Sequence, residues 1–180
     1  MQREIILVPY DENWKHQFAL IKDVLNNIFF DVSTNIHHIG STSMPGMLAK
    51  PIIDVMVIVN DIDAVDGLND KMKEAGYMPK GEHGITGRRY FQKLSDDGIN
   101  HLEHIHCFAS DNQLVKDHLM FRDYLLINQD AFYEYLGIKA LSARLYSLDP
   151  VKYTKFKSDC IESILDDARE YFVDHQYWLG

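Results

Sequence analysis

The chain has 180 residues, of which 46% are apolar and 12% aromatic, and its formal net charge is −9. These values indicate one globular domain with enough apolar residues for a core. Because nucleic acids are polyanions, an acidic chain is not drawn to them at long range. Nucleic acid is therefore not the expected partner, although this leaves room for a local basic patch.

The chain shows no membrane or export signal. No stretch approaches the roughly 20 apolar residues that a membrane span needs. The opening MQREIILVPYDENW is apolar over only a few residues, too few for a signal peptide. Cys107 and Cys160 sit in apolar stretches and form no CxxC pair, which is typical of buried thiols in a reducing compartment. We therefore expect a cytoplasmic protein with no membrane partner.

The first third of the chain alternates strand-like and helix-like segments. EIILV, at residues 4–8, predicts a strand. Asp11 can cap a helix whose apolar residues recur at spacings of four and three: Trp14, Phe18, Ile21, Leu25 and Ile28. TNIHHI predicts a short strand that ends at Gly40. IIDVMVIV, after Pro51, has the length and the Ile and Val content of a central strand.

The rest of the chain predicts a second helix, a hairpin and then only helices. Asp61 or Asp63 can cap the second helix, which we expect to end at Gly76. RRYFQKL and HLEHIHCF follow, and the SDDGIN between them favours a β-hairpin. From Asn112 onward, helical spacing marks three segments: residues 113–128, 130–146 and 150–172.

These elements predict an α+β fold, with a small mixed β-sheet and flanking helices over residues 1–110 and a helical C-terminal part over residues 111–180. No linker rich in Gly, Pro or Ser separates the two parts. We therefore expect a single domain, residues 1–180, in which the two parts share an interface.

One acid, Asp54, interrupts the predicted central strand. Alternate residues of a strand face opposite sides, so Asp54 shares its face with Ile52 and Met56. Because an unpaired buried carboxylate is costly, we expect Asp54 to lie near the strand's open end, to meet a cation or a donor, or to bind a ligand. A structural acid, satisfied by backbone donors, is the alternative.

A turn of small residues, Gly40-Ser41-Thr42-Ser43, precedes this strand. Its backbone N–H groups and hydroxyls can form an anion-binding concavity. Phosphate held there, beside a carboxylate that holds a divalent cation, is an arrangement suited to a nucleoside triphosphate. The turn is not a P-loop, because no Gly-Lys-Ser/Thr occurs in it. A plain turn or a helix cap is the alternative.

Two histidines, His104 and His106, follow at strand spacing in HLEHIHCF. They share one face of that strand, with Cα atoms about 6.6–6.8 Å apart, and Glu103 faces the other side. If this strand neighbours that of Asp54, the three side chains bound one site. Such a mixed oxygen and nitrogen set suits Zn²⁺, Mn²⁺ or Fe²⁺ better than Mg²⁺. A structural, hydrogen-bonded histidine pair is the alternative.

HHIGSTSMPGMLAKPIIDVMV, HLEHIHCF and HLMFRDYL together resemble the GrpB family, small bacterial proteins placed in the nucleotidyltransferase-like fold. The resemblance runs from VPYDENW to residues 153–156. Active nucleotidyltransferases that resemble this fold share a Gly-Ser turn, then an acid-x-acid pair, and a third acid on a neighbouring strand. The resemblance places the turn at Gly40 and Ser41 and the first acid at Asp54.

The sequence departs from that pattern at the other two acids. Met56 stands at the second position, and His104 or His106 stands at the third. Two Mg²⁺ ions bridged by three carboxylates are therefore not available from these positions. The resemblance then implies an altered metal preference, altered chemistry, or binding alone.

Several basic residues are candidates for binding phosphate. Lys50 lies close to the turn. Arg88 and Arg89 open the hairpin, where alternation does not decide which points inward, and Arg89 is our candidate. The family resemblance indicates three further residues that face the cleft: Arg122, Lys139 and Lys155. A basic cleft on an acidic protein would concentrate a small anion such as a nucleotide.

The sequence leaves open whether the protein is an enzyme. In the first hypothesis it binds a nucleotide or another phosphorylated small molecule with one divalent metal, Mg²⁺, Mn²⁺ or Zn²⁺. Asp54, His104 and His106 then flank the metal and serve any transfer of a nucleotidyl or phosphoryl group. In the second it is a non-catalytic ligand-binding or protein-interaction module, since GrpB-like domains also occur fused to dephospho-coenzyme A kinases. Metal-dependent hydrolysis by the histidine pair is a third option.

Overall fold

A five-stranded mixed sheet forms the N-terminal part of the computed structural model, which describes residues 4–174. Its strands are β1 Ser33–Ile39, β2 Ile53–Val59, β3 Met78–Pro79, β4 Arg88–Leu94 and β5 His101–Ala109. Their order in the sheet is β1-β2-β5-β4-β3, with β2 and β5 parallel and the other neighbours antiparallel. The predicted hairpin is confirmed as β4 and β5.

Within residues 4–174, two helices accompany the sheet and four follow it. They are α1 Asn13–Ile28, α2 Asn69–Glu74, α3 Gln113–Ile127, α4 Gln129–Tyr146, α5 Pro150–Phe156 and α6 Ser158–Asp174. Short 3₁₀ turns cover Ser41–Ser43 and Asp63–Leu68. The predicted α+β class, with a mixed sheet, flanking helices and a helical C-terminal part, is confirmed. Over residues 4–174, none of the helices combines the length and the apolar character that crossing a membrane requires.

Different helices bury the two faces of the sheet. On one face Val55 packs in a core that includes Leu25 of α1. On the other face Met56 packs with Leu119 of α3. Alternation along β2 therefore places Asp54 on the α3 side, next to Met56 and away from the larger core, as the sequence predicts.

A second apolar core lies among the C-terminal helices, and the segment after the Ser41–Ser43 turn reaches into it. Met44 and Met47 are buried there together with Tyr124 of α3, Tyr135 of α4 and Ile164 of α6. The connection between β1 and β2 is therefore fixed by the sheet at its ends and by the helices in its middle. This packing joins the sheet to the helical part.

The predicted strand at the start of the chain is wrong. Residues 4–7 pair with no strand, and Val8 makes one isolated bridge, to Ala49. The amide of Ile5 donates to the carbonyl of Ser147, at the end of α4. This segment therefore runs along the helical part of the molecule, where no strand is available to pair with it.

Two predicted helices are divided in the structure. The second helix begins as the 3₁₀ turn Asp63–Leu68 and only then continues as α2. The predicted helix over residues 150–172 breaks between α5 and α6 at Lys157. The Lys157 amide donates to the carbonyl of Thr154, three residues back instead of four, so the chain tightens at this point.

We expect Met47→Ala to lower the free energy of unfolding by about 2–5 kcal/mol, because it leaves a cavity where a fully buried side chain joined the two parts. Met78→Ala is the control, since Met78 is 44% exposed, and should change stability by only about 0.5 kcal/mol. Urea denaturation measures both values. Equal losses in the two variants would show that the Met47 contact does not hold the parts together.

Candidate functional site

Asp54, His104 and His106 meet on the α3 side of the sheet. His104 Nδ1 lies 3.1 Å from Asp54 Oδ1, and His106 Nε2 lies 3.5 Å from the same oxygen. One ligand atom from each residue lies within 4.8 Å of the other two. Their side chains are 29%, 19% and 15% exposed, so they are enclosed by protein but still reachable.

The strand register produces this cluster. In the parallel pair of β2 and β5, Asp54 lies opposite His104 and Met56 lies opposite His106. The antiparallel pair of β4 and β5 then places Tyr90 opposite His106. The Tyr90 ring centroid lies 5.5 Å from that of His104 and 5.2 Å from that of His106, so an aromatic ring closes one side of the site.

The hydrogen bonds of the cluster stabilise the ionised form of Asp54. An ionised carboxylate only accepts, so His104 Nδ1–H donates to Asp54, while His104 Nε2 lies 2.9 Å from His101 Nδ1. Arg88 Nη1 lies 3.4 Å from His106 Nδ1, a long contact. Burial raises the pKa of Asp54, but the hydrogen bonds from His104 and His106 outweigh it and hold the pKa below the usual range. Asp54 is therefore ionised at neutral pH.

Gly40 adjoins Asp54 because it has no side chain. A Cβ built on Gly40 would lie 2.7 Å from Asp54 Oδ2, and the φ of Gly40 is +68°, in the region that favours glycine. The Ser43 hydroxyl donates to the Gly40 carbonyl and fixes the turn, and the Thr42 hydroxyl donates to the Ile52 carbonyl. The hydroxyls of Thr42 and Ser43 are thus engaged in holding the backbone.

A cavity of about 270 Å³ opens from Asp54 toward α4 and α5, and we call it the lysine cavity. Asp54 and His104 line one end, and Lys50, Lys139 and Lys157 also line it. Among the described residues, Asp54 is the single acid in its lining, against three lysines. The cavity therefore carries a local positive charge on an acidic protein, which attracts small anions.

Burial gives two of these lysines unusual properties. It lowers the pKa of Lys139 to about 7 and that of Lys157 to about 8, and repulsion from neighbouring lysines acts in the same direction. Lys139 Nζ donates to the Ser41 hydroxyl. Lys157 Nζ lies 4.0 Å and Lys50 Nζ 5.1 Å from the ring centroid of Tyr153, whose buried hydroxyl has no hydrogen-bond partner in the described part of the chain.

A second cavity, of about 320 Å³, adjoins the first, and we call it the apolar cavity. The two share Gly40, Ser41 and Tyr135. Its other lining residues come from the segment after the turn, from α3 and from α6: Met44, Leu114, Asp117, His118, Phe121, Arg122, Ile161 and Leu165.

The structure brings most of the residues predicted from the sequence to these two cavities. Asp54, His104, Gly40, Ser41, Thr42, Lys50 and Lys139 line the lysine cavity, and His106 contacts Asp54. Arg122 lines the apolar cavity instead, where it donates to the His38 carbonyl and to Asp123. Their binding and catalytic roles stay predictions.

Arg89 lies on the opposite face of the sheet, where it makes ion pairs with Asp63 and Asp66, so its predicted place in the cleft is wrong. Arg88, whose guanidinium contacts His106, is the member of the pair on the site side. Alternation places Arg88 on the same face of β4 as Tyr90, which closes one side of the site.

Lys155 is exposed and does not line either cavity, so its predicted place is also wrong. Lys157 is buried and takes that position. Tyr135 and Tyr153 also line the lysine cavity, although their spacing indicates a core role. No helical spacing signals Lys157, because the helix breaks at that residue.

Comparison with known proteins gives the family. The GrpB protein family model matches residues 4–167, so the chain belongs to the GrpB family. The YqkA protein of Bacillus subtilis is 38% identical over 94% of this chain. The match covers about half (49%) of the length of YqkA. The crystal structure of conserved protein GrpB from Enterococcus faecalis has a TM-score of 0.86 and 36% identity, over 93% of this chain and 99% of that one. A crystal structure of Cid1 poly(U) polymerase is far more distant, with 12% identity and a TM-score of 0.45 over 74% of this chain and 45% of its own.

Gly40→Ala and Gly98→Ala form a matched pair, because both glycines have positive φ but a Cβ at Gly98 has open space. The backbone strain of a side chain at positive φ should cost each variant about 1–3 kcal/mol. Gly40→Ala should cost more, since its Cβ also displaces Asp54. Urea denaturation measures the difference. The same loss in both variants would mean that the close approach of Gly40 to Asp54 carries no stability.

Lys139 predicts a pH dependence of stability. Its pKa is about 7 in the folded protein and near 10.5 ordinarily, so between these values the unfolded chain binds more protons and stability rises with pH. Lys139→Met should reduce the rise in the free energy of unfolding between pH 7 and pH 9, by at most about 1.4 kcal/mol per pH unit. Denaturation at several pH values measures it, with Lys155→Met as the control. A slope equal to that of the wild type would contradict the lowered pKa of Lys139.

Proposed function

We propose that this GrpB protein binds a phosphorylated small molecule in the lysine cavity together with one divalent metal ion at Asp54, His104 and His106. One observation carries the proposal: Asp54 and His104 line the same small cavity as the three lysines, and His106 contacts Asp54 beside it. A metal site and a phosphate site placed side by side suit a ligand that bridges them, as a nucleotide or another phosphate ester does.

The two distances from Asp54 suit a shared ion. Ligand atoms around a tetrahedral Zn²⁺ with bonds near 2.1 Å lie about 3.4 Å apart, and the Asp54 oxygen lies 3.1 and 3.5 Å from the two imidazole nitrogens. The three ligand atoms lie within 4.8 Å of one another, so the two imidazoles would move closer together to hold one ion. Three protein ligands leave a position open for a further ligand. The mixed oxygen and nitrogen set favours Zn²⁺ or Mn²⁺ over Mg²⁺.

Neighbouring groups would adjust when a metal is held. His104 would use Nδ1 as the ligand and carry its proton on Nε2, where His101 Nδ1, 2.9 Å away, accepts it. His106 would use Nε2 and carry its proton on Nδ1, which faces Arg88 at 3.4 Å. The N–H groups of Arg88 and of His106 Nδ1 would then face each other without an acceptor, so the Arg88 side chain would have to move away from His106 when a metal binds.

Transfer of a phosphoryl or nucleotidyl group is the reaction that this arrangement supports best. A bound cation would neutralise charge on the reacting phosphate oxygens. The buried lysines Lys139 and Lys157 would stabilise the charge on the departing phosphates, in a cavity where screening by water is weak. Ser41, held by Lys139, would position the ligand through its hydroxyl and backbone N–H.

The phosphate site is tested by calorimetric titration with inorganic tripolyphosphate. Lys157→Met should weaken binding about 10- to 100-fold, since it removes a charge-assisted hydrogen bond. Lys155→Met, two residues away and exposed, should bind as the wild type does. Equal affinities in the two variants would refute the lysine cavity as a phosphate site.

The metal site is tested separately by titration with Mn²⁺ or Zn²⁺ alone. Asp54→Ala should abolish the binding heat, whereas Asp70→Ala, at an exposed carboxylate on α2, should retain it. The same heat in both variants would refute the metal site at Asp54.

A non-catalytic binding module is the second candidate, and Met56 favours it. Met56 is fully buried in the apolar packing under α3, so no second carboxylate can act at this position of β2. If the protein binds phosphate and metal but turns over no nucleotide with any of the three metals, the binding module is the correct reading.

A further inference from the structure

The apolar cavity has no role in the proposed phosphate and metal site, yet it adjoins that site directly. We propose that it binds the nucleoside of the phosphorylated ligand, so that the ligand is a nucleotide with its phosphates in the lysine cavity and its base in the apolar cavity. This inference rests on the proposed phosphate site.

The two cavities lie side by side at the turn. Gly40 and Ser41 line both, as does Tyr135 of α4. These three residues form the boundary that the two cavities share. One ligand can therefore reach the lysines with one end and the apolar cavity with the other, passing the Gly40–Ser41 backbone.

The size and lining of the apolar cavity suit a heteroaromatic base. Its volume of about 320 Å³ lies within the range of small-molecule sites. Phe121, Tyr135 and His118 supply aromatic rings, and Leu114 and Leu165 supply apolar surface. Nucleobases stack on such aromatic rings, and every base can do so because each has a π-face.

Two charged residues in the lining distinguish a base from a plain apolar chain. Asp117 accepts from Arg169, and Arg122 donates to the His38 carbonyl, so both side chains are held in place. Each still has hydrogen-bonding capacity, since a carboxylate has two oxygens and a guanidinium five N–H groups. An acceptor and a donor at fixed positions complement the edge of a base, whereas an alkyl chain would make no use of their remaining hydrogen-bonding capacity.

The test compares affinities for inorganic tripolyphosphate, for each of the four ribonucleoside triphosphates and for hexyl triphosphate, at one fixed Mn²⁺ concentration. At least one nucleotide should bind about 5- to 100-fold more tightly than tripolyphosphate, the gain expected from stacking. Hexyl triphosphate should gain less. The inference fails if no nucleotide binds more tightly than tripolyphosphate, or if hexyl triphosphate binds as tightly as the best nucleotide.

A variant that fills the apolar cavity provides the second measurement. Leu165→Trp should remove the advantage of the nucleotide and leave the tripolyphosphate affinity unchanged. Leu145→Trp, at an exposed leucine of α4, should keep the advantage. If Leu165→Trp does not fold, Ile161→Phe serves the same purpose. If Leu165→Trp still binds the nucleotide more tightly than tripolyphosphate, to the same degree as the wild type, the inference is overturned. If the wild type does not bind tripolyphosphate at all, the phosphate site itself is refuted, and the nucleoside site with it.

Discussion

The ionised carboxylate of Asp54, enclosed at the sheet, is the constraint on which the site depends. A charge in this position is tolerated only if donors surround it, and His104 and His106 supply them from the neighbouring parallel strand. Every nearby feature adapts to that requirement. Gly40 lacks a side chain where one would strike the carboxylate, and Tyr90 closes the side that β4 presents. The donors that satisfy the acid in the folded chain are also good metal ligands, so stability and the proposed chemistry use the same atoms.

The charge distribution separates the site from the rest of the surface. The chain carries −9 overall, yet Lys50, Lys139 and Lys157 converge on one cavity whose lining, within residues 4–174, includes a single acid. Burial, and then repulsion from neighbouring lysines, lowers the pKa of Lys139 and Lys157, and holding them here therefore costs stability. Titratable groups with perturbed pKa values cluster at functional sites, where ligand binding can offset their cost in stability. An acidic exterior around a basic cavity also favours small anions over polymers.

The sequence predicts the site where regular geometry applies. Strand alternation correctly assigns the faces of Asp54 and the two histidines, since a period of two leaves no freedom within a strand. It does not predict Lys157, because that residue turns inward where α5 ends, and no periodic pattern describes a helix break. The prediction for Arg89 is wrong for a different reason. Arg88 and Arg89 are adjacent and so face opposite sides of the sheet, and Arg89 pairs with Asp63 and Asp66, which are distant in sequence. The apolar cavity depends on how α3, α4 and α6 pack together, which the sequence does not state.

The burial of Met44 and Met47 among the helices has a consequence for affinity. A loop that must be frozen by its ligand subtracts that entropy from binding. Here folding itself has already immobilised the glycine turn, because its continuation is clamped within the helical core. A ligand would therefore bind to a site that is already ordered, and little of its binding free energy would be spent on ordering the turn. Weakening the packing of the segment after the turn should thus lower the affinity for a ligand without altering the groups of the turn that would bind it.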